Sequence, residues 1–134
     1  MIKLTSQQKQ KLLQLPEAER RRFLELAKQL EEAKRLEEAR NHFLPFVKRV
    51  WPAFIPGTHH TLMAEAFDRI IRGDLKRLII AMPPRHTKSE FTSIHLPSYF
   101  VGHYPEKKVI QASHTAELAT GFGRKVRRNL LRVT

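Results

Sequence analysis

Leu78-Ile79-Ile80-Ala81-Met82-Pro83-Pro84-Arg85-His86-Thr87-Lys88-Ser89-Glu90 is the stretch on which the reading of this chain turns. An apolar run of strand-like length stops at two prolines. A Lys-Ser pair then opens an amphipathic segment whose first apolar positions are Phe91, Ile94 and Leu96. This is the layout of a phosphate-binding loop, in which backbone N–H groups at a helix N-terminus point at an anion and the helix dipole favours negative charge. In that reading Lys88 brings its ammonium to the β- and γ-phosphates and the Ser89 hydroxyl ligates Mg²⁺. Aligned on Lys88-Ser89, the G-x-x-x-x-G-K-[ST] pattern expects glycine at positions 82 and 87, where the chain has Met82 and Thr87. Pro83-Pro84 can shape the turn by fixing φ. Thr87 is the larger departure, because a β-branched residue suits neither positive φ nor close approach to a phosphate. Local chemistry leaves two readings, a phosphate loop or an ordinary basic strand-to-helix turn.

Working outward, 134 residues give room for one domain of ordinary size. A formal net charge of +12 points to a polyanionic partner, nucleic acid before membrane. No segment reaches the roughly 18 to 20 apolar residues of a membrane span, and the polar start is not a signal peptide. The absence of cysteine excludes disulfides and thiolate metal sites and fits a reducing cytoplasm. There is no internal repeat.

Residues 1–42 read as a helical arm. Thr5 and Gln8 have capping-box spacing, and Pro16 suits the first turn of a second helix running to about His42. Phe23, Leu26, Leu30, Ala33 and Leu36 make a narrow apolar stripe, and Glu31 to Arg35 is a well-oriented i,i+4 pair. Such a helix is mostly solvated, an arm or linker that docks against something. From Phe43 to Gly57 aromatics and prolines replace Glu and Lys, which sets a boundary and begins a compact domain over 43–134. Thr58 is expected to cap a helix with Leu62, Met63, Ala66, Phe67, Ile70 and Ile71 facing the core and Gly73 ending it. His59 and His60 sit in its first turn. Adjacent histidines point about 100° apart and do not easily share a metal. They read either as core or capping residues or as the edge of a nucleotide-base site.

Beyond the loop, Pro97 predicts a kink or an end to the helix that starts at Lys88. Tyr104 to Lys107 is a turn, Lys108 to Ser113 a second strand, and Thr115 opens a last helix with Ala119, Phe122, Val126 and Leu130 inward. Strand, helix, strand predicts an α/β fold with two parallel strands joined by a right-handed crossover. Ligands of such sheets bind at the carboxyl ends of the strands, where Pro83 to Ser89 and Ser113-His114 would both lie. The last helix carries Arg124, Lys125, Arg127, Arg128 and Arg132, close in sequence to Lys107 and Lys108. Either this is a solvated basic face or it contacts a nucleic-acid backbone, in a manner independent of sequence and steeply sensitive to salt.

Met82 to Glu90 resembles the Walker A variant of the large terminase subunits of tailed bacteriophages, the ATP-driven motors that package DNA into proheads. An arginine inside the loop is characteristic of that family, although glycine normally precedes its Lys-Ser. The likeness extends upstream through Trp51-Pro52, Gly57-Thr58-His59-His60 and Gly73-Asp74-Leu75-Lys76-Arg77-Leu78. It extends downstream through Val109 to His114 and Gly121-Phe122-Gly123-Arg124, and so covers about residues 43 to 130. It implies a partial P-loop NTPase fold of the RecA-like, additional-strand type, a parallel sheet preceded by an N-terminal helical arm. It also implies ATP and Mg²⁺ as cofactors, held by Pro84, Arg85, His86, Thr87, Lys88 and Ser89. Arg85 and Lys88 would contact the phosphates, Ser89 would hold the metal, and the Gly57 to His60 region, with His59 and His60, would border the adenine. Ser113, Arg124, Lys125, Arg127 and Arg128 would lie near the DNA path. The implied partners are double-stranded DNA, the portal, the small terminase subunit and further copies in a homo-oligomeric ring, without membrane, in the host cytoplasm and transiently at the prohead portal.

Members of that family continue with a Walker B acidic pair, a catalytic glutamate, a coupling motif and a nuclease domain. Here the only Asp residues are Asp68 and Asp74. The expectation is therefore a truncated ATPase portion with no catalytic residue of its own, binding nucleotide without efficient hydrolysis or nuclease activity. The alternative is a basic, non-catalytic module that binds DNA or a packaging partner and retains a degenerate nucleotide loop.

Overall fold

Phe43 stands at the centre of the core because the segment from Phe43 is the first in the chain where apolar residues recur on a whole helical face. The computed structural model describes residues 13–133. Two units are distinguished, one ending at Glu38 and one running from Ala39. Helix α1 (Glu17–Asn41), which belongs to the first unit as far as Glu38, starts just after Pro16, whose carbonyl accepts the Arg20 N–H. Its stripe is exposed at Phe23, Leu26 and Leu30, and Arg35 donates to Glu31 at 2.8 Å, as the i,i+4 spacing predicts. The Thr5-Gln8 capping box lies outside the described residues.

In the second unit, α2 (Phe43–Val50) buries Phe43, Phe46, Val47 and Val50. Its N-terminus is capped from another helix: Asp68 Oδ1 accepts the Phe43 N–H at 2.8 Å, placing a carboxylate on free N–H groups at the positive end of the dipole. Asp68 belongs to α3 (Thr58–Arg72). The residue at the cap of α3 is Gly57 rather than Thr58. Its buried face is His60, Met63, Ala64, Phe67 and Ile71, with Ile70 packed against the core, so the expected stripe is kept except at Leu62, which is 63% exposed. Gly73 closes the helix at φ 85°, a conformation open to glycine without steric cost.

From Lys88 the chain is helical to His103 in three pieces: α4 (Lys88–Glu90), a π-helical turn (Phe91–His95) and α5 (Leu96–His103). Pro97 does not end it. The proline stands in the first turn of α5, and Gln111 Nε2 donates at 3.0 Å to the Ser93 carbonyl, which would be the α-helical partner of the N–H that Pro97 lacks. Phe91 is fully buried and meets Phe43 edge-on at 5.5 Å, as do Phe67 at 4.9 Å and Tyr99 at 5.6 Å. Tyr99 donates its hydroxyl to the Arg40 carbonyl, and burial pushes its pKa up, with Asp68 adding to the effect. α6 (Ala116–Val133) opens at Thr115, whose Oγ1 accepts the Leu118 N–H at 3.3 Å. Ala119, Phe122, Val126 and Leu130 are half-buried and Asn129 is buried.

The expected parallel sheet is not formed: among the described residues the fold is helical, with no strand. The two runs read as strands, 78–82 and 108–113, donate no backbone hydrogen bond to one another. Alternation survives in the first, where Ile80 and Met82 pack against the core and Ile79 is 95% exposed. A period of two needs only one apolar surface to lie on, whereas a strand also needs a second backbone about 4.8 Å away to pair with. The α/β P-loop architecture is thereby overturned, together with the crossover and the carboxyl edge that would have brought Pro83 to Ser89 and Ser113-His114 together. Among the described residues no helix is long and apolar enough to cross a membrane.

Candidate phosphate-binding loop

Residues 83–90 curl around a cavity of about 170 Å³ that they line themselves. Two of them take the left-handed conformation without being glycine: Arg85 at φ 66° and Thr87 at φ 56°, ψ 11°. Each costs on the order of 1–3 kcal/mol and persists only where the surroundings enforce it. A left-handed residue followed by a right-handed helix turns successive N–H groups toward one side, the arrangement that makes an anion-binding nest. The N–H groups of the first helical turn, beginning at Lys88, have no acceptor within the helix. Lys88 itself folds back, its Nζ donating to the Met82 carbonyl at 3.3 Å.

What enforces Thr87 is a chain of hydrogen bonds starting at the cap of α3. The Gly57 N–H donates to His60 Nδ1 at 2.8 Å, so this nitrogen is an acceptor and the ring proton sits on Nε2. His60 Nε2 then donates to Thr87 Oγ1 at 2.6 Å, and Thr87 Oγ1 donates to the His86 carbonyl at 2.7 Å. His60 is buried between Phe54 and Phe91, at ring distances of 4.8 and 4.9 Å. Burial lowers its pKa, and the charges of His59 and His86 lower it further, which keeps the ring neutral as both bonds require. A Cβ at Gly57 would lie 3.1 Å from His59 Cε1, so a side chain there would displace the His59 ring by a few tenths of an ångström. Sequence reading left His60 as a core or capping residue or as the edge of a base site, and had no means of pairing it with Thr87, 27 residues away.

The other expected site residues divide into two groups. Around the loop, His59 packs on His60 at 3.8 Å and lies 5.8 Å from His86, whose Nδ1 donates to the Pro84 carbonyl at 2.9 Å. Pro84, Arg85 and Ser89 are exposed at the cavity, and Arg85 has no ion-pair partner among the described residues. Away from it, Ser113 is exposed and is not drawn into the loop. Arg124, Arg127 and Arg128 are exposed along α6 and unpaired among the described residues. Lys125 alone reaches the loop helix, its Nζ 3.2 Å from Glu90 Oε1. Glu90, overlooked in the sequence, is thus the link between the basic helix and the loop.

The residues present fit a phosphate group. The strained loop, the first-turn N–H groups, Lys88 and the unpaired Arg85 all offer positive character to one small cavity, and no carboxylate but Glu90 lines it. Ser89 is the hydroxyl left for a phosphate-bound Mg²⁺, since that of Thr87 is engaged. Among the described residues no group of three or more His, Asp or Glu could hold a metal ion by itself. Comparison with family models, with curated proteins and with solved structures returned no match to this chain.

Proposed function

We propose that residues 83–89 bind the phosphates of ATP with Mg²⁺, as part of the DNA-packaging motor of a tailed bacteriophage, the large terminase subunit whose Walker A variant the loop resembles. The observation that carries this reading is the left-handed backbone at Thr87, held by His60 immediately before Lys88. A β-branched residue in that conformation has the backbone that the loop motif obtains from glycine, and retained strain of this kind marks functional sites. Lys88 would leave the Met82 carbonyl for the phosphates, Arg85 would add a second cation, and Ser89 would hold the metal. Bound Mg²⁺ supplies charge neutralisation at the phosphoryl oxygens. His59 would border the base, while His60 acts through Thr87.

The test is equilibrium binding of a fluorescent ATP analogue with Mg²⁺ to the chain and to Lys88→Ala. We expect saturable binding to the former and at least a tenfold weakening in the variant. Equal, salt-sensitive binding to both would mean general attraction of polyanions and defeat the proposal. A second reading is favoured by the unpaired Arg124, Arg127 and Arg128 on one helix: a basic module that binds a nucleic-acid backbone without nucleotide chemistry. It would be left standing by that outcome.

A further inference from the structure

Between α2 and α6 lies a second cavity, of about 340 Å³, which shares only Glu90 with that of the loop. One wall is aromatic: Trp51 is half-buried there, with the His95 ring nearly parallel at 21° and 6.0 Å. Asn129 Nδ2 donates to His95 Nδ1 at 3.3 Å, so the ring is held as a neutral group, in keeping with the lowering of its pKa by burial. Charged groups line the cavity as well. Among the described residues Lys125 is tied to Glu90 alone, at 3.2 Å with both side chains about half exposed, a pair weak enough to exchange for another anion. Arg128 has no hydrogen-bond or ion-pair partner among the described residues.

We propose that this cavity receives one unstacked nucleotide of a single-stranded nucleic acid, its base against the Trp51 indole and its phosphate between Lys125 and Arg128. An indole face beside two cations is the pairing that single-strand sites use, since every base has a π-face and every linkage a negative charge. The Glu90 carboxylate adds an acceptor for an exocyclic amino group once Lys125 turns to the phosphate. A duplex covers both faces of each base with its neighbours, so only a splayed base can reach the indole. The exposed Arg124 and Arg127 on the same helix extend the positive surface along which a strand would run. The inference uses neither Arg85, Lys88 nor Ser89 and so stands apart from ATP binding by the loop, although Glu90 lines both cavities.

Trp51 is the single tryptophan, so its emission reports on this cavity alone. The full chain is titrated at low salt with a short fluorescein-labelled oligodeoxycytidylate, following Trp51 emission together with the anisotropy of the label. Saturable quenching that tracks the anisotropy is expected, with little quenching by a duplex of equal length. Arg128→Gln, at an exposed position, should weaken binding about tenfold, and Lys88→Ala should leave the quenching as it is. Binding seen in anisotropy with Trp51 emission unchanged would overturn the proposal, as would equal quenching by the duplex. Quenching by ATP alone at the oligonucleotide's affinity would likewise overturn it, replacing the strand by a free nucleotide.

Discussion

At Thr87 two opposing terms meet in one residue. The left-handed backbone costs a threonine on the order of 1–2 kcal/mol, and the hydroxyl bonds to His60 and His86 return about 1 kcal/mol each. Thr87→Val keeps the strain and loses the bonds, whereas Thr87→Gly loses both. Urea unfolding should therefore place the glycine variant close to the parent chain and the valine variant about 2 kcal/mol below it. A valine variant as stable as the parent would show that the His60 contact contributes nothing. His60 also makes the loop sensitive to acid. Its folded pKa is lowered, so the unfolded chain binds the proton more readily, and the stability contributed by the neutral ring is present above about pH 6.5 and lost as pH falls through the folded value. A proton on Nδ1 would face the Gly57 N–H, donor against donor. The melting temperature should fall below pH 6.5, and His60→Phe should flatten part of that slope, the remainder coming from His95, whose pKa burial also lowers. The loop's position, its Lys-Ser pair and its departure from glycine were all legible in the sequence. The support for that departure was not, because a side chain's partner across 27 residues leaves no mark in local spacing.

At the scale of elements, the helices other than α2, which was read only as a boundary, were legible because their hydrogen bonds run four residues and their caps lie next to them. Pro16, Gly73 and Thr115 mark ends that the structure keeps. The readings that shifted did so through contacts between elements. Pro97 is accommodated in the helix with Gln111 on the Ser93 carbonyl, and α3 turns its Met63, Ala64 and Phe67 face inward, leaving Leu62 outside. α2 is capped by Asp68, to which the sequence reading gave no structural role. Asp68→Ala should cost about 1–2 kcal/mol in chemical denaturation, the magnitude of a lost N-cap. Asp68→Asn, which retains the acceptor oxygen and loses the charge, should cost less than half of that. Equal losses for the two would assign the effect to the charge and its helix dipole rather than to the bond at Phe43.

For the whole molecule, the feature with the largest physical consequence is apolar surface left outside. Ile79 and Ile110 are each 95% exposed, on the two runs that read as strands. Exposed apolar segments without backbone pairing invite association. The double variant Ile79→Lys, Ile110→Lys should change unfolding stability by less than about 0.5 kcal/mol, as surface substitutions do, while raising the concentration at which light scattering appears. A large loss of stability instead would mean that both side chains are covered in solution. The sequence by itself determined the helices apart from α2, the charge and the place of the loop, because periodicity, caps and composition act over a few residues. Only the tertiary structure decided whether the apolar runs pair, which residue holds Thr87 in its left-handed turn, and where Asp68 and Gln111 are spent. Each of these depends on a partner distant in the chain, and an extended segment with the right alternation carries no information about whether a second backbone lies beside it.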